Sequence, residues 1–316
     1  MRVFVTGASG HIASAVIPEL VSAGHSVVGL ARSERSAAVV RSLGADVRHG
    51  DLDDLDRLTA AVHDTDGVIH LAFKHDEMRA GDLGGAATAD LRAIETMGAA
   101  LRGTGKPFVG TNALLGLALA GSRARITEHD VWPGGPRIDA ENRVIALAEQ
   151  GVRTSVVRLP PTVHSRGRYG FASGLIAIAQ ATGVSGYTGD GANRWPAADT
   201  RDVGRLYRRA LESAPAGSRL HAVAEEGIAL RDIAAAIARR LGVPAAPIAP
   251  EDAAEHFGYL AAFIGLDAPT SSQSTRDLLG WTPARPGLIA DLLEEENGRN
   301  VHAEDRSRHR HGNPRR

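Results

Sequence analysis

The feature that most constrains this chain lies near its start. The run VFVTGASGHIASAV sets Gly7, Gly10 and Ala13 in a G-x-x-G-x-x-A frame. It follows a strand-like segment, Arg2–Thr6. It opens a helical stripe of Ile12, Ala13, Val16, Ile17, Leu20 and Val21 that ends at Gly24. The first glycine allows a tight turn, the second lets backbone approach a pyrophosphate, and the small third residue lets the helix pack on a sheet. The helix N-terminus adds free N–H groups and partial positive charge. Glycines alone are weak evidence, but the strand before and the helix after are the context the motif requires. The segment therefore predicts a dinucleotide cradle, with Ser9, His11 and Ile12 completing it. Pro18 works against the regularity of the helix.

The pattern continues as alternating apolar runs and amphipathic segments. Strands are predicted at Arg2–Thr6, Ser26–Ala31, Asp46–His49, Val68–Ala72, Phe108–Thr111 and Thr154–Arg158, with helices at Leu83–Arg102 and Asp139–Gln150. This spacing implies right-handed βαβ units and a parallel, doubly wound α/β sheet. The second half is less regular. ARITEHDVWPGGP and PPTVHSRGRYGF read as loops. Ala172–Thr182, Asp202–Leu211, Ala229–Leu241 and Ala253–Phe263 read as helices, and Arg219–Val223 as one more strand. At 316 residues the chain suits one large α/β domain with an added lobe.

Composition narrows the partners. The net charge of −1 gives no whole-molecule field for nucleic acid or anionic membrane. No apolar run approaches the roughly 20 residues of a membrane span, and no signal segment precedes the first strand, so a cytoplasmic protein is the expectation. Cysteine is absent, and the 13 histidines are scattered with no His-x-x-x-His pair, so no metal site is expected. Residues 297–316 carry six arginines against two acids without apolar periodicity, and read as a disordered tail. Lys74 and Lys106 are the only lysines, so 36 − 2 = 34 of the cationic side chains are arginine.

Two short runs bear on which dinucleotide binds. The second strand ends in Ala31, Arg32 and Ser33, where an acidic residue would accept from a ribose 2′-hydroxyl and select NAD. Arg32 neutralises and Ser33 hydrogen-bonds a 2′-phosphate, which favours NADP(H) over NAD(H). After the third strand, Asp51 is placed to accept from the adenine amino group and Leu52 to cover its ring. After the fourth, Leu71, Ala72 and Phe73 lie along the cofactor's middle.

VTGASGHIA, GDL, IHLA, VVRLPPTVH and GDGANRW follow one another in the order and spacing of the extended short-chain dehydrogenase/reductase superfamily. More narrowly, the chain resembles the atypical, NAD-dependent epimerase/dehydratase-like group over roughly residues 1–295. The resemblance implies a Rossmann domain over 1–165, with 200–225 returning to it. It also implies a smaller C-terminal substrate lobe from 166–199 and 226–296. A homodimer through two Rossmann helices is a further family expectation.

Family members use a Ser/Thr to orient the substrate carbonyl, a Tyr as acid/base and a Lys to bind the nicotinamide ribose. Thr111 matches the Ser/Thr, and Gly116 falls at a family glycine. Counting back from Glu141, a family-like acid, puts Arg137 at the Lys position and Pro133 at the Tyr position. Arg137 still offers a ribose contact. Proline moves no proton, and no tyrosine occurs before residue 169.

Replacement groups come from loops expected to border the nicotinamide. His75 beside Asp76 reads either as an acid/base pair or as part of a solvated loop. His164 lies at the carboxyl edge of the sheet, as a site or a structural histidine. Tyr169 is the first available phenol. Lys74, Asn112, Arg194 and Trp195 are substrate-side candidates, and Pro160 and Val163 shape the loop under the carboxamide. Three functions remain open. The first is NADPH-dependent hydride transfer to a small organic carbonyl, imine or activated alkene with a non-tyrosine proton donor. The second is a cofactor-bound epimerase, dehydratase or cyclase. The third is a non-catalytic NADP(H) sensor.

Overall fold

A computed structural model describes residues 1–121 and 125–294. In chain order the first half runs β1 (Arg2–Thr6), α1 (Ala13–Ser22), β2 (Ser26–Ala31), α2 (Glu34–Ser42), β3 (Asp46–His49), α3 (Leu55–His63), β4 (Gly67–His70), α4 (His75–Arg79), α5 (Leu83–Leu101), β5 (Pro107–Ala113), α6 (Leu114–Leu119), α7 (Ile138–Ala146) and β6 (Arg153–Leu159). The second runs β7 (Thr162–His164), α8 (Phe171–Thr182), β8 (Ser185–Thr188), β9 (Arg194–Asp199), α9 (Thr200–Ser213), β10 (Ser218–His221), β11 (Glu225–Ala229), α10 (Leu230–Leu241), β12 (Ala245–Ile248), α11 (Ala253–Phe257), α12 (Ala261–Ile264) and α13 (Gln273–Leu279).

Seven strands form one parallel sheet in the order β10-β6-β5-β4-β1-β2-β3. This is the Rossmann-type α/β fold expected. The order reverses beside β1, and such a switch point opens a crevice at the carboxyl ends of the strands. β1 shows why the strands read as continuous apolar runs. Val3 and Val5 pack under α1 and α9, while Phe4 packs on the opposite face with α3 and α5. A strand buried on both faces has no polar side to alternate. Gly204 lets α9 lie against α1, since a Cβ there would stand 2.9 Å from the Ala15 carbonyl oxygen.

A third core gathers α6, α8, α10, α11 and α12 around Trp195, Phe257 and Leu260. Two small sheets serve it, β11-β9-β7 and β12-β8. Four sequence expectations need correction. Thr162–His164, read as loop, pairs with β9 as a strand. Ala253–Phe263 is not one helix: Gly258, at φ +52°, breaks it into α11, a single 3-10 turn and α12. α7 ends at Ala146 and continues to Gln150 only as a 3-10 turn. β4 stops at His70, so Leu71 and Ala72 lie beyond the sheet. Pro18 stays within α1, which forgoes one backbone bond. The expected tail at 297–316 lies outside the described residues. Among the described residues no helix is long and apolar enough to cross a membrane.

Candidate functional site

A cleft of about 530 Å³ opens at the carboxyl ends of β1, β2 and β4. Its floor is the first βα turn. Gly7 has φ +64°, and a Cβ there would stand 2.7 Å from the Ala72 backbone nitrogen, so no larger residue fits against the β4 exit. Gly10 donates to the Gly7 carbonyl at 2.9 Å and closes the turn. Ser9, His11 and Ile12 line the same wall. Arg32, Asp51 and Leu52 face them from the ends of β2 and β3, and Leu71, Ala72, Phe73, Lys74 and His75 form the far side. The residues predicted for the cradle, the adenosine end and the cofactor's middle are thus brought into one cleft, except Ser33, which does not line it.

The cleft fits a dinucleotide in one further respect. His11 Nε2 lies 2.8 Å from the Val163 carbonyl, which accepts from it. His11 Nδ1 is buried with no partner. Burial holds the His11 pKa below the ordinary histidine value. The unpartnered Nδ1 is therefore an acceptor on a residue that lines the cleft, a polar atom left for a ligand's hydroxyl or amide to satisfy.

Arg137, the N-cap of α7, packs on Phe73, a wall of the cleft. It is the one non-glycine residue with positive φ among those described, at +69°. That left-handed turn aims the guanidinium back over the sheet. Nη1 donates to Asp90 Oδ2 at 3.2 Å, and Nη2 donates to the Thr111 carbonyl at 3.1 Å. The guanidinium carbon sits 4.1 Å from the Phe73 ring centroid, and His75 packs on Phe73 edge-on at 5.3 Å. Phe73, a wall of the cleft, thus connects Arg137 with His75. Non-glycine strain of this kind costs about 1–3 kcal/mol and persists where surroundings enforce it.

A buried chain runs behind Arg137. Thr6 Oγ1 meets His70 Nδ1 at 2.7 Å, and His70 Nε2 meets Asp90 Oδ1 at 2.9 Å. The Ala72 N–H donates to Thr6 Oγ1 at 3.2 Å. The strand under the cradle is therefore tied, side chain to side chain, to Arg137. Sequence reasoning missed Asp90. Its signal was a carboxylate on the apolar stripe of α5, between Ala86 and Ala93, where an acid is buried only if paired.

Thr111 Oγ1 donates to the His70 carbonyl at 2.7 Å and meets Tyr207 Oη at the same distance. With its own proton directed to His70, the threonine accepts from Tyr207. Burial pushes the Tyr207 hydroxyl well above the ordinary tyrosine pKa, so it stays protonated. Tyr207 reads in sequence only as part of the apolar stripe of α9.

Several candidates lie elsewhere. Asn112 points to the opposite face of β5 from Thr111, as strand alternation requires, and donates to Glu141 at 2.6 Å. Glu141 also accepts from buried Arg158 at 2.6 Å and from Arg219 at 2.8 Å. His164 and Tyr169 are both buried: His164 pairs with Asp291 at 2.7 Å, and Tyr169 Oη accepts from Arg240 at 2.7 Å. His164, Asp199 and Asp291 gather their ligand atoms within 4.8 Å of one another, but Asp199 is taken up by Arg201. Trp195 is fully buried in the third core, and Arg194 forks onto Asp267 at the surface. Pro160 is buried, Val163 joins the site through His11, and Ser33 caps α2, leaving Ser36 to line the cleft.

His75 and Asp76 form no pair, because adjacent residues of a helix do not face each other. The His75 Nδ1–H donates to the Phe73 carbonyl at 3.2 Å, which leaves Nε2 open. Partial desolvation, and then the charge of Arg137, hold its pKa below the ordinary value. Asp76 turns instead to Arg32 and Arg79. Lys74 is held by Asp53 at 2.9 Å and Glu77 at 3.0 Å.

Comparison with known proteins agrees with this geometry. An NAD(P)H-binding family matches residues 7–116. An uncharacterised protein of Schizosaccharomyces pombe is 44% identical over 295 residues, covering 93% of this chain and 99% of its own. A short-chain dehydrogenase/reductase superfamily protein from Agrobacterium tumefaciens, solved with bound NAD, superposes with a TM-score of 0.75 at 19% identity, over 98% of this chain and all of that one. The dTDP-glucose 4,6-dehydratase DesIV of Streptomyces venezuelae, with NAD bound, superposes at 0.72 and 18% identity, over 95% of this chain and 98% of its own. The two structures are similar to this chain in fold.

Proposed function

We propose that the chain, which belongs with the uncharacterised Schizosaccharomyces pombe protein and carries an NAD(P)H-binding match, is an NADPH-dependent oxidoreductase of the short-chain dehydrogenase/reductase type, in its epimerase/dehydratase-like branch, acting on a small organic carbonyl, imine or activated alkene. The observation that carries the reading is Arg137. It is held by Asp90, the Thr111 carbonyl and Phe73, and the count back from Glu141 assigns it the role of the family's ribose-binding lysine. A fold that keeps a strained cation at this point keeps a reason to orient the nicotinamide end.

When bound, the nicotinamide supplies or accepts the hydride. Arg137 holds its ribose with the N–H groups that Asp90 and Thr111 leave over. His75 moves the proton at Nε2, the one ring nitrogen it leaves open. In the neutral ring Nε2 is an acceptor and serves oxidation as a base. In the charged ring it is a donor and serves reduction as an acid. With the His75 pKa lowered, the donor form accumulates only below about pH 6.5. The reductive rate is therefore expected to rise as pH falls through that lowered value, and the oxidative rate to fall. His75→Asn should flatten both limbs. Limbs that persist in the variant would assign the proton to another group.

The phosphate end is tested separately. Arg32→Asp is expected to weaken NADPH about tenfold and to improve NADH, since a charged contact is exchanged for repulsion. Fluorescence titration with both nucleotides reads this directly, and unchanged selectivity would remove Arg32 from the site.

One observation supports a second reading. No tyrosine lines the cleft among the described residues, which suits an NADP(H)-responsive protein without turnover. Deuteride transfer from labelled NADPH into a product separates the two.

A further inference from the structure

The last residue of α4, Arg79, is not needed by the fold or by the hydride step. It nevertheless reaches the same carboxylate as Arg32. Arg32 Nη2 lies 3.1 Å from Asp76 Oδ2, and Arg79 Nη2 lies 2.5 Å from Asp76 Oδ1. The two guanidinium groups, from segments over forty residues apart, thus hold one oxygen each of a single anion. All three residues line the cleft, on the side that also carries Ser36 and Gly50.

Resting on the NADPH reading above, we propose that Arg79 is a second ligand for the adenosine 2′-phosphate, and that Asp76 occupies the phosphate's place between Arg32 and Arg79.

Three considerations support this. The side chains of Arg32, Asp76 and Arg79 are 71%, 67% and 52% exposed, and ion pairs at such exposure add little to stability. The cluster is therefore cheap to rearrange and is not explained by folding. Its charge is +1 + 1 − 1 = +1, so it remains a site for an anion. Lys74, the neighbouring cation, is engaged by Asp53 and Glu77 and does not compete for the role. A phosphate brings more charge and more acceptor oxygens than a carboxylate, so it satisfies both guanidinium groups at once and releases Asp76 to solvent. In the absence of phosphate, Asp76 relieves the repulsion between the arginines.

The test is fluorescence titration of the full chain with NADPH and with NADH, in the wild type and in Arg79→Gln, Arg32→Gln and Asp76→Asn. The expected result is that Arg79→Gln raises the NADPH Kd about tenfold and leaves NADH within about twofold. Asp76→Asn should tighten NADPH, because it removes the internal competitor. An Arg79→Gln protein that binds NADPH as before, or that loses both nucleotides equally, overturns the proposal. So does an Asp76→Asn protein weakened only toward NADH, which would make Asp76 a partner of the ribose hydroxyl. If Arg32→Gln shifts the preference and Arg79→Gln does not, this proposal fails and the NADPH reading stands. If the wild type binds both nucleotides alike and neither arginine matters, both fail.

Discussion

Replacing Glu141 with leucine is expected to lower the unfolding free energy by about 3–5 kcal/mol, the cost of stranding a buried partner. Glu141 is 4% exposed and Arg158 not at all. The carboxylate accepts from Arg158, Arg219 and Asn112, tying α7 to β5, β6 and β10. Without it Arg158 keeps only the carbonyls of Thr127 and Asp130 and the ring of His221. Chemical denaturation reads the loss, and a drop below about 1 kcal/mol would mean that these contacts suffice for Arg158. The pH dependence has a definite sign. Burial alone would raise the Glu141 pKa, but the hydrogen bonds and charge of Arg158, with Asn112 and Arg219, outweigh it and hold the pKa below 4.5. A depressed carboxyl contributes stability above its unfolded value, and that contribution is lost as pH falls through the folded one. Glu141→Leu should therefore lack this part of the wild-type acid loss.

The second large effect belongs to Arg137. Arg137→Leu removes the cation from Asp90, which is 1% exposed, and removes the ribose contact proposed above. About 3 kcal/mol of stability and about a hundredfold in turnover with NADPH are expected to go together. Two variants separate the causes. Arg137→Lys keeps a charge near Asp90 but not the second arm to Thr111, so it should recover most stability and part of the activity. Arg137→Gly loses the same contacts as leucine but relaxes the backbone at φ +69°, so it should be the more stable of the two by about 1 kcal/mol. Equal stability would mean that the turn at 137 carries no strain.

The central sheet was legible because its strands are buried on both faces. β1, β2 and β3 have the bounds that their apolar runs predict, and β4, β5 and β6 differ by one or two residues. The small strands were not legible. β8 is Ser-Gly-Tyr-Thr, and β9 holds Pro196 and ends in Asp199, so neither shows a run or an alternation. They form because the third core closes over them, which is a tertiary cause.

The cleft followed the same division. Its glycine floor and the ends of β2, β3 and β4 lie at sequence positions fixed by the fold, and the residues named there converge. The polar partners did not follow. Asp90 meets an arginine 47 positions away, and Tyr207 meets a threonine 96 positions away. Tyr169 and Trp195, read as site aromatics, serve the third core instead, the commoner use of large rings. WPGGPRIDAE illustrates both sides. Its departure from the family pattern is plain in sequence, whereas the left-handed turn that brings Arg137 over Phe73 is not.

The chain from Thr6 through His70 and Asp90 to Arg137 makes the molecule a gauge of length. Its links are buried side chains at fixed separations, and packed interiors of this kind do not stretch to suit a guest. The span between the glycine turn and Arg137 is thus set before anything arrives. With the ribose contact proposed for Arg137, a nucleotide long enough to touch both ends would be measured whole, whereas a mononucleotide would touch one end and leave the other idle.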